Sequence, residues 1–367
     1  MANEKKIRVG ITQGDTNGIG LEVALKVIAV PEFMEICTPI LYGSAKVLTY
    51  HRKAIDMPSF QVNHAADAEH VKDNMPNIIE VMDGEEVKVE LGTPSKQAGQ
   101  AAYQALDAAV TDLKQGRIDV LVTAPINKDN IQSDEFHFPG QTEYLEASAG
   151  EGKALMILCD ESLRVALVTT HLPLGQLPTA ITTQGIRERL REFNASLQRD
   201  FGCERPRIAV LSLNPHAGEN GLLGTEEQQI IRPAIDQAYD EDRIVCFGPY
   251  AADGFFGSQQ YRNFDGVLAM YHDQGLAPFK ALAMDRGVNF TAGLPFVRTS
   301  PDHGTGYDIA GKGVAREDSM RQAIYTAIDI WRNRQRWDEA HANPLRKQYH
   351  DRGKDNVVLD LTKETEE

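Results

Sequence analysis

Cysteine is scarce in this chain of 367 residues: four occur, at positions 37, 159, 203 and 246. So few, so scattered, suit neither a disulfide framework nor a CxxC zinc site, and they read as reduced, mostly buried thiols. Long apolar runs are also lacking, and none approaches the ~18 residues that a membrane helix needs. The start, MANEKKIRVGITQGD, holds no apolar signal core. Positive charge is in deficit, with 38 bases against 53 acids and a net charge of −15. That balance argues against nonspecific binding to nucleic acid or to an anionic membrane. Repeats, low-complexity tracts and Pro/Gly-rich linkers are missing. What is present is a core: 42% of the residues are hydrophobic, which excludes disorder, collagen and coiled coil. A cytoplasmic protein of two domains or one large one is expected. Two stretches, 61–95 and 351–367, carry nets of −6 and −3 and read as solvated surface.

Apolar runs and helical periodicities alternate along the chain. Strands are expected at 7–12, 39–43, 119–125, 163–171, 207–216, 243–248 and 266–272. Helices are expected at 22–28, at 97–115 before Gly116, around Ile186 to Leu197, from a Thr225–Gln228 capping box through Ala238, and at 318–333. Nearly continuous apolar strands alternating with helices predict an α/β fold with mainly parallel pairing.

Three of these strands close on histidine: VALVTTH at His171, AVLSLNPH at His216 and GVLAMYH at His272. Ligands of open α/β sheets bind outside the carboxyl ends of the strands. Three imidazoles at that station suit a divalent ion with an open position. His51, His64, His70, His341 and His350 lie in polar surroundings and read as solvent-facing.

Two glycine-rich segments stand out. GDTNGIG (14–20) lacks the GxGxxG spacing and offers Gly14 and Asp15 at a strand-to-helix turn. SPDHGTGYDIAGKG (300–313) gathers Asp302, His303, Thr305, Asp308 and Lys312 among four glycines, where open backbone lets a ligand approach closely. Between them Lys280, Asn289 and Arg298 form a polar and cationic series suited to phosphate or carboxylate.

These segments resemble the 4-hydroxythreonine-4-phosphate dehydrogenase family of pyridoxal phosphate biosynthesis. The resemblance rests on VTAPINK (122–128), GQTEY (140–144), VTTHLPL (168–174), LNPHAGENG (213–221), AMYHDQG (269–275) and NFTAGLPFVRTSPDHGTGYDIAGKG (289–313), in order along most of the chain. HGTGYDIAGKG also resembles the adenosine-binding loop of isocitrate and isopropylmalate dehydrogenases. The resemblance implies that family's fold of two α/β/α domains around a cleft, here 1–140 plus 290–367 and 141–289.

It further implies oxidation of a phosphorylated amino-acid alcohol with NAD or NADP. A divalent metal, Zn, Mg or Co, would lie on His171, His216 and His272. Substrate contacts would come from Gln141, Thr142, Lys280, Asn289 and Arg298, and cofactor contacts from Gly14, Asp15, His303, Gly304, Thr305 and Asp308. Lys280, Asp273 and Asp253 are the candidates for proton transfer or for supporting the metal ligands. A homodimer with the active site between subunits is implied as well. Other substrates for the same chemistry are 4-phospho-D-threonate or 4-phospho-D-erythronate, and a non-catalytic phosphometabolite-binding protein is the alternative of another class.

The chain departs from the family pattern where GHTE would put a histidine: it has Gln141, which cannot titrate near neutral pH. The usual PGDPAGIGPE reads QGDTNGIGLE here, so Gln13, Thr16 and Leu21 stand where proline is usual, and Gly254 replaces the Thr of ADT.

Overall fold

The computed structural model describes residues 6–82 and 87–343. The part of the acidic stretch at 83–86, the tail at 351–367 and His350 lie outside the described residues. The first half of the chain carries β1 (Ile7–Thr12), α1 (Gly20–Ile28), β2 (Cys37–Gly43), α2 (Ala45–Ala54), β3 (Asn63–Ala65), β4 (Asn77–Glu80), α3 (Lys96–Lys114), β5 (Val120–Val122) and α4 (Gln141–Ala149). Next come β6 (Leu155–Cys159), β7 (Arg164–Leu167), α5 (Leu177–Ala180), α6 (Thr183–Arg199), β8 (Arg207–Leu211), α7 (Arg232–Asp240), β9 (Val245–Tyr250) and α8 (Ala252–Gly257). The chain goes on through β10 (Gly266–Ala269), α9 (His272–Ala283), β11 (Val288–Ala292), β12 (Arg298–Pro301) and α10 (Asp318–His341).

One sheet takes the order β3-β4-β2-β1-β5-β12-β11-β6-β7-β10-β8-β9. The run from β3 to β12 is parallel, and so is the run from β7 to β9. Between them, β12, β11, β6 and β7 pair antiparallel. The mainly parallel α/β fold expected from the sequence is thus built as two blocks joined by an antiparallel seam. Parallel strands buried on both faces read as near-continuous apolar runs, and β2 is buried throughout, its Thr38 hydroxyl satisfied by Asp73.

Helices cover both faces. One core runs under α1, α6, α7 and α10 across both blocks. On the other face the cover is divided: α3 and α4 lie over the first block, α8 and α9 over the second. The gap between these two groups of helices opens over the seam, and it positions the site.

Local signals account for the helix ends. Ser95 caps α3 by accepting from the Ala98 N–H, and Thr182 caps α6 by accepting from Gly185. The expected Thr225–Gln228 capping box does not form. A π turn at Glu227–Ile231 opens that helix without a side-chain cap, and the Gln228 N–H donates to the Thr225 carbonyl instead of its hydroxyl. The three histidine-ending strands are shorter than expected. Val168 and Thr169 still donate to Ala269 and Met270, but β7, β8 and β10 end at Leu167, Leu211 and Ala269. His171 and His216 therefore sit in loops beyond their strands, and His272 opens α9. All four cysteines are free. Burial pushes the thiols of Cys37, Cys159 and Cys246 up to about 12, so they stay protonated and inert.

Candidate active site

The floor of the cleft follows from strand register. Asn289 of β11 stands opposite Leu158 of β6 and Ser300 of β12, while Thr291 stands opposite Met156 and Arg298. Side chains two apart on a strand share a face, so two cross-strand rows form one surface. Around it lie Thr123 after β5, Gln141 and Thr142 at the start of α4, His171, one face of α9, and Asp302 with His303 after β12. The cleft they form is open to solvent and holds about 540 Å³. A groove of about 680 Å³ also occurs, between the β6–β7 turn and α10. It holds none of the sequence-predicted site residues, and its Arg164, Arg286 and Arg332 share the lining with Asp160, Glu161, Asp200 and Asp329.

Arg298 is 4% exposed and is held by neutral groups. Its Nε and Nη2 donate to Thr123 Oγ1, Nη1 to Thr291 Oγ1 and Nη2 to Gln141 Oε1, at 2.6–3.0 Å. Four of the five guanidinium N–H groups are thereby used. No carboxylate among the described residues hydrogen-bonds it. Burial pulls its pKa down to about 10, with only partial relief from the charge of Glu143. Gln141 also donates to the Ala124 carbonyl at 3.0 Å, so its amide is fixed at both ends.

Lys280 faces the same space. Its ammonium lies 3.1 Å from Asp302 Oδ1, and the Asp302 side chain is 10% exposed. Three buried polar atoms of the cavity lining have no partner: Asn289 Oδ1, Asp302 Oδ2 and His303 Nε2. Buried polar groups are almost always paired, so three orphans in one cavity mark a place prepared for a polar ligand.

Helix α9 presents two faces. His272, Leu276 and Lys280 line this cavity. Tyr271, Gln274 and Pro278 line a second one of about 510 Å³, together with His216, Asn214 and Asp253. The His171 and His272 rings are 5.8 Å apart between centroids. Burial first, and then the Lys128 charge, lower the pKa of His171, which favours the neutral form a metal ligand must have. His216 stands on the other side of α9, at the head of a stretch, His216–Asn220, that is left-handed throughout. That loop is tied down by Glu227, whose Oε1 accepts from the Leu213 and Asn214 N–H groups. Among the described residues, no group of three His, Cys, Asp or Glu comes together closely enough to hold a metal ion. Asp273 is 84% exposed at its side chain and accepts from His272 Nδ1 at 2.7 Å, so it orients that imidazole. Asp253 is exposed in the His216 cavity.

At the glycine-rich turns the chain's departures from the family pattern become a polar network. Gln13 Oε1 accepts from the Ser44 N–H, and its Nε2 donates to Thr16 Oγ1. Asn17 Oδ1 accepts from the Glu90 N–H, and its Nδ2 donates to Thr93 O and Ser95 Oγ. Asp15 is buried and its carboxylate receives Tyr307 Oη, Asn130 Nδ2 and the Asn17 N–H, so it ties the first turn to the 300–313 loop. Ile19 N donates to Thr305 O at 2.8 Å. Gly18 permits that closeness, since a Cβ there would sit 2.7 Å from Thr305 O. Gly304 and Asp308 are exposed, and His303 and Thr305 half-buried. His51 corrects a sequence expectation: it is fully buried, not solvent-facing, and its Nε2 lies 2.7 Å from the Thr16 carbonyl under the same turn. His64, His70 and His341 are exposed as expected.

Sequence reading missed two contributors: Thr123 and Thr291, which hold Arg298. Both lie inside quoted motifs, VTAPINK and NFTAGLPFV, but nothing in their spacing distinguishes them. Asp302, singled out with the 300–313 loop, pairs with Lys280 in the cavity.

A mixed α/β fold with a cation-bearing cleft on the seam of its sheet defines an enzyme acting on small anionic metabolites. The chain belongs to the family described as pyridoxal phosphate biosynthetic protein PdxA, whose model matches residues 35–327. The 4-hydroxythreonine-4-phosphate dehydrogenase of Bacteroides thetaiotaomicron is 59% identical over 361 residues, 98% of each chain. That of Sulfurihydrogenibium sp. is 40% identical over 328 residues, 89% of this chain and 99% of the relative. Among solved structures, the Klebsiella pneumoniae 4-hydroxythreonine-4-phosphate dehydrogenase is 34% identical with a TM-score of 0.78, covering 90% of this chain and 99% of that one. A terephthalate 1,2-cis-dihydrodiol dehydrogenase from Burkholderia xenovorans, 25% identical, has a TM-score of 0.58 and covers 89% and 98%. The chain is therefore an oxidoreductase of pyridoxal phosphate biosynthesis, a dehydrogenase that takes a nicotinamide cofactor. Among the described residues no helix is long and apolar enough to cross a membrane.

Proposed function

We propose that the enzyme oxidises 4-hydroxy-L-threonine 4-phosphate with NAD, and that the β-keto acid formed loses carbon dioxide to give 3-amino-2-oxopropyl phosphate. The observation that carries this reading is the Arg298 cation, buried among neutral partners in a cavity that also holds Lys280. A buried charge left without a counterion is costly, and a phosphate or carboxylate of the substrate supplies one. The names of the relatives support the substrate. Gln141 and Thr142 border the anion position, and Asn289 offers a hydrogen-bonding amide. The 300–313 loop, bound to the first glycine-rich turn through Asp15, holds the nicotinamide dinucleotide. An acidic Asp308 suits a free ribose hydroxyl better than a 2′-phosphate, which favours NAD over NADP.

His171 and His272 suit a borderline divalent ion by donor chemistry, Zn or Co more than Mg. One chain provides these two ligands and leaves the set open. When bound there, such an ion supplies Lewis acidity toward the substrate hydroxyl. His216 joins the set if a second copy of the chain closes the site, as in the homodimer we propose. Exposed Leu174 and Leu222, 71% and 80% accessible, lie in the two loops that carry His171 and His216 and give such a copy an apolar surface to cover. The two sheet blocks support a division into units 1–140 plus 290–367 and 141–289. Free thiols suit a cytoplasmic location.

A second substrate reading, 4-phospho-D-threonate or 4-phospho-D-erythronate, is favoured by one feature: Gln141 is not titratable, and its amide oxygen and nitrogen each already hold a protein partner. NADH formation from 4-hydroxythreonine 4-phosphate and from 4-phospho-D-threonate, each with Zn, Mg and Co in turn, tests the choice. A higher kcat/KM for the first is expected. A preference for the second moves the enzyme to sugar acids, and NADH from neither rejects both.

A further inference from the structure

The proposed reaction needs one group to take the hydroxyl proton and one to protonate carbon after carbon dioxide leaves. Three carboxylates lining the cavity are available: Glu143, Glu146 and Asp302. Glu146 accepts from the Ala154 N–H. Glu143 lies at the α4 end, where its charge is felt by Arg298 and His171. Asp302 alone combines an ion pair on one oxygen with a buried, unpartnered second oxygen. Its position is fixed from behind, because its N–H donates to Ser319 Oγ at 3.0 Å.

We infer that Asp302 is the catalytic base of the oxidation and that its ion-pair partner Lys280 returns a proton to carbon after decarboxylation. This rests on the function proposed above. In the first step the substrate O–H bond breaks and its proton passes to Asp302 Oδ2. The adjacent C–H bond breaks with its electron pair, which the nicotinamide cofactor accepts, and the carbon is oxidised to a ketone. In the second step the C–C bond to the carboxylate breaks, carbon dioxide leaves and the electron pair stays as an enolate. The Lys280 ammonium protonates the carbon, and Asp302 then reprotonates the amine. The proton removed first is the one needed last, so the pair ends as it began.

The charged groups around Asp302 fit the assignment. Lys280 and His272 face it from α9 and His303 adjoins it in the chain, while α10 presents the neutral Ser319. Burial raises the Asp302 pKa and the Lys280 charge opposes that rise. A base works best with a pKa near the operating pH.

The test is the pH profile of kcat/KM in the full-length enzyme. Asp302→Asn is expected to lose ~10²–10⁴-fold in rate, together with the acidic limb of the profile. Asp302→Glu should recover part of the rate and restore the limb. Glu143→Gln should keep the acidic limb, and Glu161→Gln, in the exposed β6–β7 turn outside the cavity, should keep both limb and rate. An Asp302→Asn enzyme that falls less than tenfold or retains the acidic limb overturns the inference. A measurement free of turnover separates this from the substrate reading: the carboxyl ¹³C titration of labelled Asp302. A midpoint above the usual carboxylate range, moved further up by Lys280→Met, supports the pair. A midpoint in the usual range, indifferent to Lys280→Met, overturns it even if the substrate is right. Wild-type enzyme that makes no NADH from either phosphorylated acid overturns the substrate reading and leaves the titration to decide on Asp302.

Discussion

Gln141 holds Arg298: Nη2 of the arginine donates to Oε1 of the glutamine at 2.7 Å, and the glutamine's Nε2 donates to the Ala124 carbonyl. The residue that replaces the family's usual histidine is thus an arm that aims a cation. Gln141→Ala removes the arm and leaves a buried N–H unpaired. It is expected to raise KM for the phosphorylated substrate by ~10-fold with a smaller effect on kcat, because one hydrogen bond to a charged group is lost. Steady-state kinetics check this, and an unchanged KM contradicts it.

Arg298 itself separates function from stability. Its partners are neutral and its charge is buried, so the folded protein gains little from it. Arg298→Met should lower kcat/KM by ~100-fold or more, from lost charge-assisted contacts to the substrate anion. Its melting temperature should stay level or rise. A large destabilisation with near-normal kinetics would show that Arg298 is a structural residue.

Much of this was legible in the sequence. The alternation of apolar strands and helices gives the mainly parallel fold because both sheet faces are covered. The seam was not legible: β6, β11 and β12 are short, and antiparallel pairing leaves no mark in runs as brief as Leu155–Cys159. The position of His216 across α9 from His272 was hidden too. It depends on the left-handed course of His216–Asn220, where only Gly218 and Asn220 are residues that take such dihedrals readily and Ala217 and Glu219 are not. His51 looked exposed because its neighbours Arg52 and Lys53 are charged, yet helical periodicity turns it inward with Val47 and Leu48.

His51 gives the fold a pH dependence. Burial lowers its pKa below the ordinary 6.5, so between that lowered value and 6.5 the unfolded chain binds the proton and the folded chain does not. The stability it confers is complete above pH 6.5 and declines as pH falls through the window. His51→Gln should flatten that decline in denaturant melts collected from pH 7 to pH 5, and a slope identical to wild type contradicts the buried neutral histidine.

The shared-site proposal has a mixing test. His171→Ala and His216→Ala chains are each expected to be inactive and to lose bound metal. In randomly mixed dimers one intact site forms in each heterodimer, so about a quarter of wild-type activity should return. No recovery in a mixture shown to contain heterodimers contradicts a site shared between subunits.

The central claim is oxidative decarboxylation of a phosphorylated hydroxy acid in the Arg298 cavity. Its most direct test is a single turnover with carboxyl-labelled 4-hydroxythreonine 4-phosphate, NAD and a defined divalent metal, following NADH and labelled carbon dioxide together. The account predicts equal amounts of both with wild-type enzyme, and both formed ~100-fold more slowly or worse with Arg298→Met at the same subsaturating substrate concentration. NADH without carbon dioxide, or undiminished turnover by Arg298→Met, would contradict it.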